Sequence, residues 1–129
     1  MKYLLDSSFL VALFLEDDVN HDKVLSLFES FEKNKIMLYL LHRIIEETAT
    51  VLTYKGNRKI SNRFLDFIEK DIRFRIIEND HHEEISFYKK YITRNISFVD
   101  SSLVYQSNIL DMNILTLDKE LIKIARLFK

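Results

Sequence analysis

Short apolar runs alternate with longer amphipathic segments along the whole chain, and no other feature limits the fold as much. "KYLLD" (2–6), "IMLYL" (36–40), "IRFRII" (72–77) and "NILTL" (113–117) each suit a buried strand. The segments between them carry helical spacing. Val24, Leu27, Phe28 and Phe31 share one face, and so do Ile60, Phe64, Phe67 and Ile68. Helices are expected over 7–15, 21–31, 42–56, 59–71, 81–93, 98–110 and 118–128. Asp6 or Ser7 is expected to cap the first, Asp80 the fifth, and Gly56 to end the third in a left-handed turn. The alternation predicts an α/β fold with a central parallel sheet and helices on both faces. The length suits a single domain over residues 1–129. Right-handed crossovers put the carboxyl ends of all the strands on one edge, where open α/β sheets bind ligands.

Acids recur at that edge. Residues 4–10 read "LLDSSFL" and residues 98–104 read "FVDSSLV". Asp6 closes the first strand, Asp118 follows "NILTL", and Asp100 sits near a helix start. Taken singly, each is an ordinary helix cap, and Glu47 is a solvated helix residue. Jointly, the four acids converge on one edge of one sheet. Carboxylates gathered in a cleft raise one another's pKa, and a hard divalent cation with oxygen ligands, Mg²⁺ or Mn²⁺, relieves the repulsion. Such a set can hydrolyse a phosphodiester with neither His nor Cys. Glu46 is the rival to Glu47. Arg43, Ile44, Val51 and Tyr54 surround Glu47 on the helix, a mostly apolar set that favours it as the inward residue.

Composition removes other chemistries. One glycine and no proline leave no material for a Rossmann, Walker or kinase phosphate loop. The absence of cysteine excludes disulfides and thiolate metal sites and favours a reducing, cytoplasmic compartment. No apolar run approaches bilayer length, the start lacks a secretory signal, and no membrane partner is expected. With a net charge of −1, a polyanion would need a local basic patch. Lys55, Arg58, Lys59 and Arg63 form one candidate RNA-binding corner, and Lys89, Lys90 and Arg94 with Tyr88 and Tyr91 another. Solvated surface and core tyrosines are the plainer reading of both. The four histidines lack ligand spacing.

"YLLDSSFLVALF", "EETATVL", "ISFVDSSLVYQS" and "ILTLDKEL", in this order over essentially the whole chain, resemble the PIN-domain ribonucleases, especially the VapC-type toxins of toxin–antitoxin pairs. The resemblance implies a three-layer fold with a parallel sheet of order 3-2-1-4-5. It implies a Mg²⁺- or Mn²⁺-dependent endoribonuclease whose acids are Asp6, Glu47, Asp100 and Asp118, supported by Ser8 and Thr116. It also implies a homodimer, an RNA substrate and a small antitoxin that blocks the site. The family often has a fifth strand after the last helix; here only "RLFK" remains to form one. A housekeeping RNA-processing nuclease of the same family, a catalytically inactive protein-binding module and a receiver-like domain are the alternatives. A receiver needs an acidic pair after the first strand and a haloacid-dehalogenase phosphatase needs Asp-x-Asp, but Ser7 and Ser8 follow Asp6.

Overall fold

The computed structural model describes all 129 residues. Four strands and seven helices follow one another as β1 (Lys2–Leu5), α1 (Ser7–Phe14), α2 (His21–Lys33), β2 (Met37–Leu41), α3 (His42–Lys55), α4 (Arg58–Lys70), β3 (Phe74–Ile77), α5 (His81–Tyr91), α6 (Phe98–Ile109), β4 (Asn113–Leu115) and α7 (Lys119–Leu127). Every strand and helix expected from the apolar pattern is present, with ends shifted by a few residues where caps and turns compete. The sheet is wholly parallel, in the order β3-β2-β1-β4. Residues 126–129 add no fifth strand: α7 runs to Leu127, and β4 stays at the edge.

The topology dictates the layers. The chain steps from β1 to β2 and on to β3 in one direction, then returns past β1 to β4. Right-handed crossovers therefore put α1 to α4 on one face and α5 and α6 on the other. Strand order reverses between β1 and β4, the position where such sheets open a crevice. Leu4, Leu5, Leu38 and Leu40 are fully buried between the layers. Under α2 and α4 the core is aromatic: Phe28, Phe67 and Phe74 meet with ring centroids about 6 Å apart (5.8–6.2 Å). Phe87 does the same on the opposite face, against Tyr91, Tyr105 and Phe128. Tyr88 packs on Phe98 at 5.4 Å, so both candidate stacking tyrosines take part in helix packing. No helix is long and apolar enough to cross a membrane.

Three local expectations change. Gly56 does not adopt a left-handed conformation; its φ is −110° and its ψ −107°. Glycine is needed there for space, because a Cβ would lie 2.8 Å from Ile60 Cδ1 and 3.0 Å from the Leu52 carbonyl. Asp6 occupies the N-cap position of α1, but its side chain makes no cap hydrogen bond. Tyr54, placed on the inward face of α3 by helical phase, is 85% exposed; that face is Ile44, Thr48 and Leu52. Tyr54 stands about 200° around the helix from the buried Leu52, on the exposed side of α3 together with Glu47. Asp80 caps α5 as expected, accepting from the His82 N–H.

Gly56→Ala should destabilise the protein by more than about 1 kcal/mol, because the carbonyl of Leu52 cannot move aside without breaking the last turn of α3. Thermal unfolding of the two proteins checks this.

Candidate active site

At the carboxyl end of β1 the Asp6 side chain is 94% buried (6% exposed). A buried carboxylate needs donors, and both come from residues expected to support it. Ser8 Oγ donates to Asp6 Oδ2 at 2.8 Å, and Thr116 Oγ1 donates to the same oxygen at 2.6 Å. Each hydroxyl also accepts a backbone N–H from the β4–α7 turn: Leu117 N–H to Ser8 at 3.0 Å, and Asp118 N–H to Thr116 at 3.0 Å. Asp6 has therefore given up capping α1 in favour of binding the first and last strands together. Its own N–H completes the seam, donating to the Leu115 carbonyl at 3.0 Å.

Asp118 is the N-cap of α7, and its Oδ1 accepts from the N–H groups of Glu120 and Leu121 at 2.9 and 3.3 Å. Asp100 is not the cap of α6. Ser97 is, accepting the Asp100 N–H at 3.0 Å, and this leaves the half-buried Asp100 carboxyl directed elsewhere. The S-x-x-D spacing of "SFVD" was the signal for this cap. Glu47 lies in the second turn of α3 and, contrary to the inward placement expected from helical phase, is exposed, because the buried stripe of the helix is Ile44, Thr48 and Leu52. Its neighbour Glu46 is turned to His42, 3.9 Å away in solvent.

The four acids act on one another. Burial pushes the Asp100 carboxyl up to about 6, reinforced by the charges of Asp6, Asp118 and Glu47, while the Ser97 hydroxyl partly offsets the rise. Glu47 is also raised, first by burial and then by Asp6; Ser7 and Arg43 pull it back. Ser7, Arg43 and Ser97 are thus members of the site that sequence reading left out. Arg43 stands one helical turn before Glu47, where a pairing cation is expected. The carboxyls are loosely arranged: no three acidic, His or Cys side chains stand close enough to grip one ion. The donor set is nonetheless all oxygen, and its charge is uncompensated, the chemistry that suits Mg²⁺ or Mn²⁺.

Lys55, Arg58, Lys59 and Arg63 are not part of this cleft. They lie exposed around the α3–α4 corner, at the far end of α3 from Glu47, and Lys55 and Arg63 share a groove with Glu16 and Asp17.

The raised Asp100 carboxyl has a definite sign for stability. The folded state holds its proton up to about pH 6 and the unfolded chain releases it near 3.8, so stability falls as pH rises through this window. In metal-free protein, Asp100→Asn should raise the melting temperature at pH 7.5 by about 3 °C, a figure discounted for the half-exposed carboxyl. The gain should disappear by about pH 4. Calorimetry across this range tests it.

A model of the PIN domain family matches residues 3–127. The fold is similar to that of Mycobacterium tuberculosis VapC20, a sarcin–ricin loop cleaving toxin, with a TM-score of 0.81, 17% identity, and 95% of this chain and 94% of that chain covered. It is also similar to PAE2754 from Pyrobaculum aerophilum, with a TM-score of 0.64, 19% identity, and 95% and 84% covered. No curated protein matches the sequence. With the family model spanning almost all of its length, the chain belongs to the PIN-domain family.

Proposed function

We propose that the protein is a divalent-metal-dependent endoribonuclease and the toxin of a toxin–antitoxin pair, with Asp6, Glu47, Asp100 and Asp118 as its acids. One observation carries this reading: the half-buried Asp100 has the carboxylates of Asp6, Asp118 and Glu47 as its charged neighbours and no cation paired with it. A carboxyl that serves only the fold is given a cation or several hydrogen-bond donors, or is left in solvent. This one is set against like charge, an arrangement that marks functional sites. Family membership and the VapC20-like fold support RNA as the substrate and a small antitoxin as the partner. A homodimer is proposed on the family resemblance alone.

Asp6 and Asp100 would hold the cation, with Glu47 and Asp118 completing the acidic ring. A Mg²⁺ or Mn²⁺ ion held there would supply an activated water and charge neutralisation at the scissile phosphate. The protein's own groups do the positioning. Ser8 and Thr116 both bond Oδ2 of Asp6, which leaves Oδ1 available to a ligand. Asp118 spends Oδ1 on the α7 cap and keeps Oδ2. Glu47 stands at the rim, its carboxyl raised by burial and by the charge of Asp6 and pulled back by Ser7 and Arg43.

Single-stranded RNA should be cut only with added Mg²⁺ or Mn²⁺, and Asp6→Asn and Asp100→Asn should abolish cutting. Cleavage that persists in EDTA, or in both variants, overturns the reading. Glu47→Gln should lower the rate by about tenfold or more, whereas Glu46→Gln, on the solvent side, should change it little. Each variant is to be compared as folded protein by circular dichroism. The reverse order of the two glutamates would move the ligand assignment to Glu46.

A further inference from the structure

The molecule contains a second buried carboxylate, outside the acidic cleft. Glu84 in the first turns of α5 is 1% exposed, and no cation pairs with it. Its donors are neutral. Asn79 Nδ2 reaches both of its oxygens at 2.8 Å, Ser102 Oγ donates to Oε1 at 3.0 Å, and Gln106 Nε2 donates to Oε2 at 2.9 Å. Two of these donors, Ser102 and Gln106, lie one turn apart on α6. Removing a carboxylate from water is costly, and an apolar residue of similar size would fill the space without that cost.

The composition of α6 explains what the charge accomplishes. The buried residues of this helix are Ser101, Ser102, Leu103, Val104, Gln106 and Ser107. Four of the six are polar and mostly small, so there is no broad apolar stripe to fix the rotation of the helix about its axis. Ser101 Oγ does not fix it either, for it is buried without a partner. The bonds from Ser102 and Gln106 to Glu84 are the directional contacts between α5 and α6. Tyr88 meets Phe98 further along, so the two helices run antiparallel with Glu84 opposite Ser102. Asp100 stands two residues before Ser102, about 200° around the helix and therefore on its opposite side. A rotation of α6 that loosens Ser102 from Glu84 swings Asp100 out of the cleft.

We propose that Glu84 is a positioning residue: gripped by Asn79, Ser102 and Gln106, it locks the rotation of α6 and so holds Asp100 in the acidic cleft. The inference rests on the reading of Asp100 as a metal ligand. Glu84 touches no reacting group and acts only through α6.

The test uses Glu84→Gln, which keeps the shape but removes the charge and replaces one acceptor oxygen with a donor, so the charge-assisted bonds from Asn79, Ser102 and Gln106 weaken and at least one partner must reorient. Three quantities are measured: melting temperature, Mn²⁺ affinity by calorimetry, and kcat and KM on single-stranded RNA. Both Mn²⁺ affinity and kcat should fall by about tenfold, in the range typical of groups that orient metal ligands, with KM unchanged. Phe31→Leu, in the core beneath α2, supplies the comparison: it should lower the melting temperature and leave Mn²⁺ affinity and kcat alone. In a double-mutant cycle, Ser102→Ala should weaken Mn²⁺ binding in the wild-type background and add little to Glu84→Gln. If Glu84→Gln does not fold, Ser102→Ala alone carries the test with the same expected direction. A lowered melting temperature with wild-type Mn²⁺ affinity and kcat would overturn the proposal and make Glu84 a core residue only. If the wild type cleaves RNA and the variants match it, only the positioning role fails. If Mn²⁺ binding weakens in the variants but the wild type cuts no RNA, the positioning role stands and the nuclease reading fails. If the wild type does not bind Mn²⁺, both fail.

Discussion

One oxygen atom, Asp6 Oδ2, holds the two ends of the chain together. It accepts from hydroxyls 2 and 110 residues away along the chain, and both hydroxyls pass the connection on to backbone N–H groups of the β4–α7 turn. Hydrogen bonds to a charged acceptor are about twice as strong as neutral ones. Burial strengthens them further by excluding competing water. The sheet would pair β1 with β4 without this network, but the turn carrying Asp118 would not be fixed against β1. Scaffold and acidic cleft therefore share one set of bonds.

The same principle appears in how each acid is constrained. Asp6 is held by hydroxyls, Asp118 by the start of its own helix, and Asp100 by the cap at Ser97 and by its depth in the protein. Glu47 is the least constrained, at the rim with Ser7 and Arg43 as neighbours. The carboxylates are thus organised from behind while their charges oppose one another in front. Such an arrangement is costly without a counter-ion, and the elevated Asp100 carboxyl records that cost.

Much of the fold was legible because its determinants are local. Short apolar runs located the strands and period-3.6 apolar spacing the helices, and the right-handed crossover rule supplied the layers. Asp6, Asp118 and Asp100 stand out in the sequence because the first two follow strand ends and the third lies in the first turn of a helix; Glu47, in the second turn of α3, carries no such mark. Other features depend on contacts between distant segments and leave no local mark. Gly56 resembles a left-handed stop in sequence, but its requirement comes from Ile60 and Leu52 pressing on it. Tyr54 shares the helical phase of Glu47, but the stripe that α3 buries is Ile44, Thr48 and Leu52, and both Tyr54 and Glu47 lie outside it. Glu84 in "HHEEISF" reads as a solvated first-turn acid; only the antiparallel pairing of α5 with α6 buries it.

The order of β1 and β4 in the chain has a consequence for synthesis. β1 emerges from the ribosome first, but its neighbour β4 and the hydroxyl of Thr116 emerge more than a hundred residues later. Contacts at such separation form late. Until then Asp6 is without its second hydroxyl donor and Asp118 does not exist, while β1, β2 and β3 can already pair. A half-made chain can thus hold most of its sheet without a finished acidic cleft. The delay is written into the topology: any chemistry the cleft performs begins only once β4 and the start of α7 have been made and have docked against β1.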